Sequence, residues 1–162
     1  MFLGAVAIRR PHRVCVVLLC LLGCSEPRLH SALAELSAAE QRWNAQGLPA
    51  YEYTVQRLCF CAPAVTHPIT VTVRDGAVVR LVYADSGAVP DSAMFRDFLT
   101  VERVFDFVRR TIAENPDTLT AVYDPHYGYP TRITVDPIFG IADDEFSVSV
   151  TGFQPLATVL AP

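Results

Sequence analysis

The stretch ITVTVRDGAVVRLVYAD, residues 69–85, decides the fold. Apolar and polar residues alternate on either side of Asp75-Gly76, a dipeptide that tolerates positive φ, which predicts two strands joined by a tight hairpin turn. Upstream, AYEYTVQRLCFC (residues 50–61) alternates too, with Tyr51, Tyr53 and Val55 on one face and Glu52, Thr54 and Gln56 on the other. That predicts a strand ending at Pro63, followed by a loop through His67 and Pro68. Farther upstream, Ser31 is placed to cap a helix running to about Gln46, with Leu33, Leu36 and Trp43 on one side and Gly47 and Pro49 as stop signals. Trp43 reads as a core anchor.

Downstream of the hairpin, SGAVPDSAMFRDFL (residues 86–99) reads as loop. Thr100 then opens a second helix to about Glu114, with Val101, Val104, Phe105, Val108 and Ile112 at helical spacing and Pro116 closing it. LTAVYD, TRITVD and FSVSVTGF predict three more strands, joined by PHYGYP and PIFGIADDE. The expected order is helix, three strands, helix, three strands (αβββαβββ), as two copies of one unit would give. The expected architecture is α+β, an antiparallel sheet with the two helices packed on one face.

Ahead of this domain stands LLCLLGCSEP, residues 18–27. The apolar run from Val14 to Gly23 would span only about 15 Å as a helix, half the hydrocarbon thickness of a bilayer. With Arg9, Arg10 and Arg13 just upstream it has the layout of an export signal. Arg9-Arg10 would also suit a twin-arginine signal, but Pro11 and His12 follow where that motif wants other residues.

Leu21, Leu22, Gly23 and Cys24 resemble the lipobox of bacterial lipoproteins. The resemblance implies that residues 1–23 are a signal peptide removed from the mature chain. Cys24 then carries a diacylglyceryl group and an acylated amine, residues 24–30 form a lipidated tether, and residues 31–162 form one domain. It implies lipid anchoring to the cell membrane or outer membrane, facing the extracytoplasmic space, and Ser25 is the residue that Gram-negative sorting tends to send outward.

The 162-residue chain less residues 1–23 leaves 139, enough for one domain with a proper core. Three of the 13 basic residues lie in the leader, so ten arginines and no lysine face 17 acidic groups, a net of −7. An acidic domain of this kind is a poor match for nucleic acid or anionic head groups. The expected partners are the membrane, reached through the lipid, and an envelope protein. No cofactor is implied.

Three groups of residues are candidates for chemistry. Export places Cys59 and Cys61 in an oxidising compartment, where they have only each other. On a regular strand their Cα atoms would be about 6.6 Å apart, near the outer limit for a disulfide, so a bridge needs a bulge or turn there. Such a bond would pin the strand end or, if reducible, serve redox chemistry, and His67 would add a third ligand for a soft metal. YDPHYGYP, residues 123–130, reads as a hairpin connection in which Asp124 starts a turn and Tyr127 and Tyr129, if exposed, offer contact area to a partner or sugar. Asp143, Asp144 and Glu145, with Asp124 and Asp136 in the same half, would form a calcium site only if these carboxylates converged. The run lacks the ligand spacing of an EF-hand, and solvated loop charge is the plainer reading. No nucleophile motif, zinc-protease helix or phosphate loop is present.

CFC, the hairpin with VRDG, YDPHYGYP and ADDE together resemble an uncharacterised family of bacterial secreted proteins and lipoproteins, over roughly Trp43 to Val150. That resemblance implies a shared fold and export and transfers no catalytic residue. Three functions follow as expectations: a non-catalytic binding or scaffold module at the envelope, a protein inhibitor or assembly factor, or a thiol redox or metal-binding protein using Cys59 and Cys61.

Overall fold

The structure, a computed structural model, describes residues 27–157. The leader and Cys24 lie outside the described residues. Helix α1 spans Pro27–Gln46, β1 Ala50–Cys59, α2 Pro63–Thr66, β2 Ile69–Arg74 and β3 Ala77–Tyr83. A 3-10 helix covers Ser92–Phe98, followed by α3 at Val101–Glu114, β4 at Thr118–Tyr123, β5 at Pro130–Asp136 and β6 at Phe146–Pro155. The fold is α+β with one six-stranded antiparallel sheet.

Local chemistry accounts for the elements. Asp75 and Gly76 both take positive φ, +49° and +73°, which is the two-residue turn whose twist matches the flanking strands. In α3 the Thr100 hydroxyl accepts from the Arg103 amide at 3.3 Å, and Asn115 ends the helix at φ +52°. Helix α1 is described from Pro27 onward, so it already includes the residues ahead of the expected cap. Ser31 lies inside that helix and its hydroxyl donates to Glu35. Residues 27–30, expected in the tether, are therefore helical.

The buried stripe of α1 is Leu36, Ala39 and Trp43, with Leu29 and Ala32 packed against the core in line with it. Leu33, expected on that side, lies about 60° beyond Leu36 at 100° per residue and is 43% exposed. Two short helices replace expected loops. Pro63 opens α2, and in the 3-10 helix the Asp91 carboxylate accepts from the Ala93 amide while Phe95 and Phe98, one 3-10 turn apart, enter the core.

The sheet order is β3-β2-β1-β6-β5-β4. Two meanders, one from each half of the chain, are joined by the pairing of the first strand with the last, from Tyr51↔Pro155 to Cys59↔Phe146. Each half lays down its three strands in the same spatial order, third-second-first, which leaves β1 central and β4 at an edge. Tyr51, Tyr53, Val55, Ile69, Val71, Val73, Ile133, Val135, Val148 and Val150 form one core cluster with the buried residues of α1 and α3.

One polar tie joins three elements of that core. Glu102, in the first turn of α3, accepts from the Trp43 indole at 2.8 Å and from the Tyr51 hydroxyl at 3.2 Å, and the same hydroxyl accepts from the Val101 amide. The Tyr53 hydroxyl donates to the Phe98 carbonyl at 2.6 Å. Each buried hydroxyl therefore has a partner, which avoids a desolvation cost of about 1–3 kcal/mol per group.

Burial holds these phenols protonated. Tyr51 and Tyr53 are raised above the ordinary value by loss of hydration, then by the charge of Glu102 on Tyr51 and by Tyr51 on Tyr53. Tyr123 is pushed up to about 12 by burial and by Glu35 and Glu40. In the unfolded chain these groups ionise near pH 10. The native state therefore keeps protons that the unfolded state releases, and their contribution to stability is complete below pH 10 and lost as pH rises toward 12. Urea midpoints measured from pH 8 to 12 are expected to fall steeply above pH 10, and Tyr53→Phe is expected to flatten that fall.

Candidate functional site

The segment YDPHYGYP forms the connection between β4 and β5, and its residues are engaged internally. The Asp124 carboxylate accepts from the His126 and Tyr127 amides at 2.9 and 2.7 Å, its backbone N–H donates to the Tyr129 carbonyl, and the Gly128 N–H donates to the Asp124 carbonyl. This is an Asx-type turn. Gln46, at the end of α1, donates to the His126 carbonyl, so the turn is also tied to the helix.

Gly128 explains the closeness of that contact. It takes φ +91°, and a Cβ there would fall 2.3 Å from the Ala39 carbonyl oxygen and 2.9 Å from both Arg42 Cβ and Trp43 N. The turn lies directly on the backbone of α1, which only glycine permits.

The two tyrosines, which would offer contact area to a partner only if exposed, are packed inward. Tyr129 is 8% exposed and stacks on Phe153 at 4.5 Å, and half-buried Tyr127 packs on Phe153 at 5.0 Å. Phe153 in turn meets Trp43 and Tyr51 at 5.7 and 5.8 Å, making one aromatic column across α1, β1, β6 and the turn. Phe153 was not singled out from sequence, because the β1–β6 pairing that brings it there has no local signal.

Cys59 and Cys61 are joined as a disulfide with Cα atoms 5.3 Å apart, closer than a regular strand allows. The strand ends at Cys59, and the Cys61 amide donates to the Cys59 carbonyl at 2.9 Å in a three-residue turn. Phe60 at its apex is 84% exposed. His67 does not join the pair: its Nδ1 meets Asp85 at 2.6 Å, and that hydrogen bond holds the Asp85 carboxyl below the usual range.

The acidic residues do not converge as one group. Asp124 lies at the opposite end of β4 and β5 from Asp136, Asp143, Asp144 and Glu145. Near Asp136 the carboxylates do accumulate. Its Oδ1 and that of Asp144 are shielded from solvent without a hydrogen-bond partner. The Asp136 carboxyl is raised above the usual range, by loss of hydration and by the charges of Asp144, Asp117 and Glu145. Among the described residues no three His, Cys, Asp or Glu side chains are arranged to hold a metal ion.

What the sequence alternation leaves on the second face of the sheet is a row of hydroxyls: Thr54 and Thr70, Oγ1 atoms 3.3 Å apart, with Ser149, Thr151 and Thr134 on the neighbouring strands. Glu52 accepts from Thr72 at 2.6 Å and from Gln154 at 3.3 Å on the same side. This broad surface is polar, and on it the Thr72 hydroxyl is engaged by the Glu52 carboxylate.

The Gly128 contact is open to direct measurement. Gly128→Ala is expected to destabilise the fold by about 3 kcal/mol, from the positive φ and the collision with α1 together. Chemical denaturation of the purified protein reads it, and Gly140→Ala, at a loop glycine of φ +81° with open space around it, is the control that carries the backbone cost alone.

No helix among the described residues is long and apolar enough to cross a membrane. No curated protein and no solved structure matches the chain. The glycine turn, the aromatic column and both faces of the sheet fall within residues 35–155, which match the model of a family of unknown function (DUF6174), and the chain belongs to that family.

Proposed function

We propose that this protein is a lipid-anchored, non-catalytic binding or scaffold module of a bacterial cell envelope, tied to the cell membrane or outer membrane through Cys24. The observation that carries the binding role is the second face of the sheet, polar and rich in hydroxyls, over central strands whose other face lies in the core. The anchoring role rests on Leu21-Leu22-Gly23-Cys24 behind a short basic and apolar leader. The residues with the strongest motif character support a structural reading: Asp124, Gly128 and Tyr129 hold a turn on α1, and the Cys59–Cys61 bond closes a strand end.

Two measurements test this. Intact mass of the protein from the membrane fraction is expected to match the chain from Cys24 plus a diacylglyceryl group and an amide-linked acyl chain, and to gain two hydrogens on reduction. A bare Cys24 or a retained leader overturns the anchor. A photo-cross-linking residue at Ser149, on the hydroxyl face, is expected to give one discrete protein adduct in intact envelopes. A blank there, with turnover of any small substrate by the purified chain, overturns the binding role.

A further inference from the structure

Five exposed apolar residues, among them the two most exposed phenylalanines, stand at one end of the sheet. Cys59 pairs with Phe146, and Phe146 pairs with Val135, so the turn after β1 and the loop between β5 and β6 leave the sheet side by side. Phe60 stands at the apex of the first, 84% exposed, with Leu58 before it at 53%. Phe139 stands in the second, 81% exposed, flanked by Ile138 and Ile141 at 55% and 51%. Two phenylalanines that could have been polar at no cost to the core project from neighbouring loops.

The first turns of α1 lie at this same end. Leu29 and Ala32 line, with Pro137, Ile138 and Phe139, an open groove of about 470 Å³. The other end of α1 is fixed far away, under Gly128 and beside the Asp124 turn. Cys24 precedes Pro27 by three residues, and three residues reach at most about 11 Å however they are arranged. A lipid on Cys24 therefore holds this end, and no other, within a head-group layer's distance of the bilayer.

We propose that the end of the domain carrying Phe60 and Phe139 rests in the surface of the membrane that holds Cys24, with both rings inserted among the head groups. The inference rests on the anchor proposed above. Chemistry also sets the kind of surface. Asp117, Asp136, Asp143, Asp144 and Glu145 cluster at this end, so it fits zwitterionic lipid, whose ammonium groups can face them, and is repelled by an anionic one. Apolar side chains among head groups, with the anchor beside them, supply the second attachment that makes a lipidated protein lie in a fixed attitude.

The test uses the full chain, processed in a bacterial host and reconstituted into zwitterionic vesicles whose acyl chains carry bromine, a contact quencher of indole fluorescence. Phe60→Trp, Phe139→Trp and, at the far hairpin, Ala77→Trp are each compared with the parent chain, whose single tryptophan, Trp43, is buried. Emission from positions 60 and 139 is expected to be largely lost, and emission from position 77 to be unchanged. Replacing zwitterionic with anionic lipid is expected to restore the emission at 60 and 139. Protein that stays on the vesicles with positions 60 and 139 unquenched overturns the contact and leaves the anchor standing. A blue shift there without quenching assigns the end to a second copy or another protein and overturns it equally. Protein that washes off the vesicles overturns the anchor, and the contact with it.

Discussion

The structure depends on the pairing of its first strand with its last. Each half of the chain makes a three-stranded meander by local turns, and neither meander alone has a second layer wide enough to cover its apolar face. The ladder from Tyr51↔Pro155 to Cys59↔Phe146 turns two such ribbons into one sheet, over which α1 and α3 share a single core. Because its partners are about a hundred residues apart, this is the contact with the largest loop-closure cost, and it must be repaid by what it buries. The repayment is visible at Phe153. It reaches Trp43, Tyr51, Tyr127 and Tyr129 only when β6 lies beside β1.

That ladder also decides which surfaces are left over. Placing β1 and β6 in the middle puts β3 and β4 at the edges, and their outward residues carry little of the core: Ala77 to Arg80 are exposed, and β4 alternates between exposed and half-buried. The central strands have the opposite character, with Tyr53, Val55, Val71 and Val148 at 2% exposure or less on the core side and hydroxyls on the other.

What was legible in the sequence was local. Asp75-Gly76 between alternating runs specifies its own turn, and Thr100 with the apolar spacing after it specifies α3, because the interactions involved span a few residues. What was not legible was distant or steric. The role of Gly128 comes from the backbone of Ala39 to Trp43, ninety residues earlier, and no pattern within YDPHYGYP records that approach. The hairpin connection was legible, but whether Tyr127 and Tyr129 in it were exposed was not, because that depends on the turn being pressed onto a helix. The 3-10 helix at Ser92–Phe98 was hidden for another reason: Pro90, Asp91 and Ser92 are turn formers that here cap a short helix, and the three-residue spacing of Phe95 and Phe98 is too brief to register as periodicity. The sheet order follows the same logic, since alternation tells which face a strand buries and nothing about its neighbour.

The length of α1 links the polar face to the anchored end. A twenty-residue helix spans about 30 Å, close to the length of the ten-residue central strands beside it. It runs from the groove beside Phe139 to the turn of Gly128, so it measures the domain from one end to the other. If Cys24 fixes the first end at the bilayer, the helix and the sheet stand away from the membrane and the hydroxyl face looks sideways along it. The far end then carries the Asp75-Gly76 and Asp124 turns together with the Gly47–Pro49 connection.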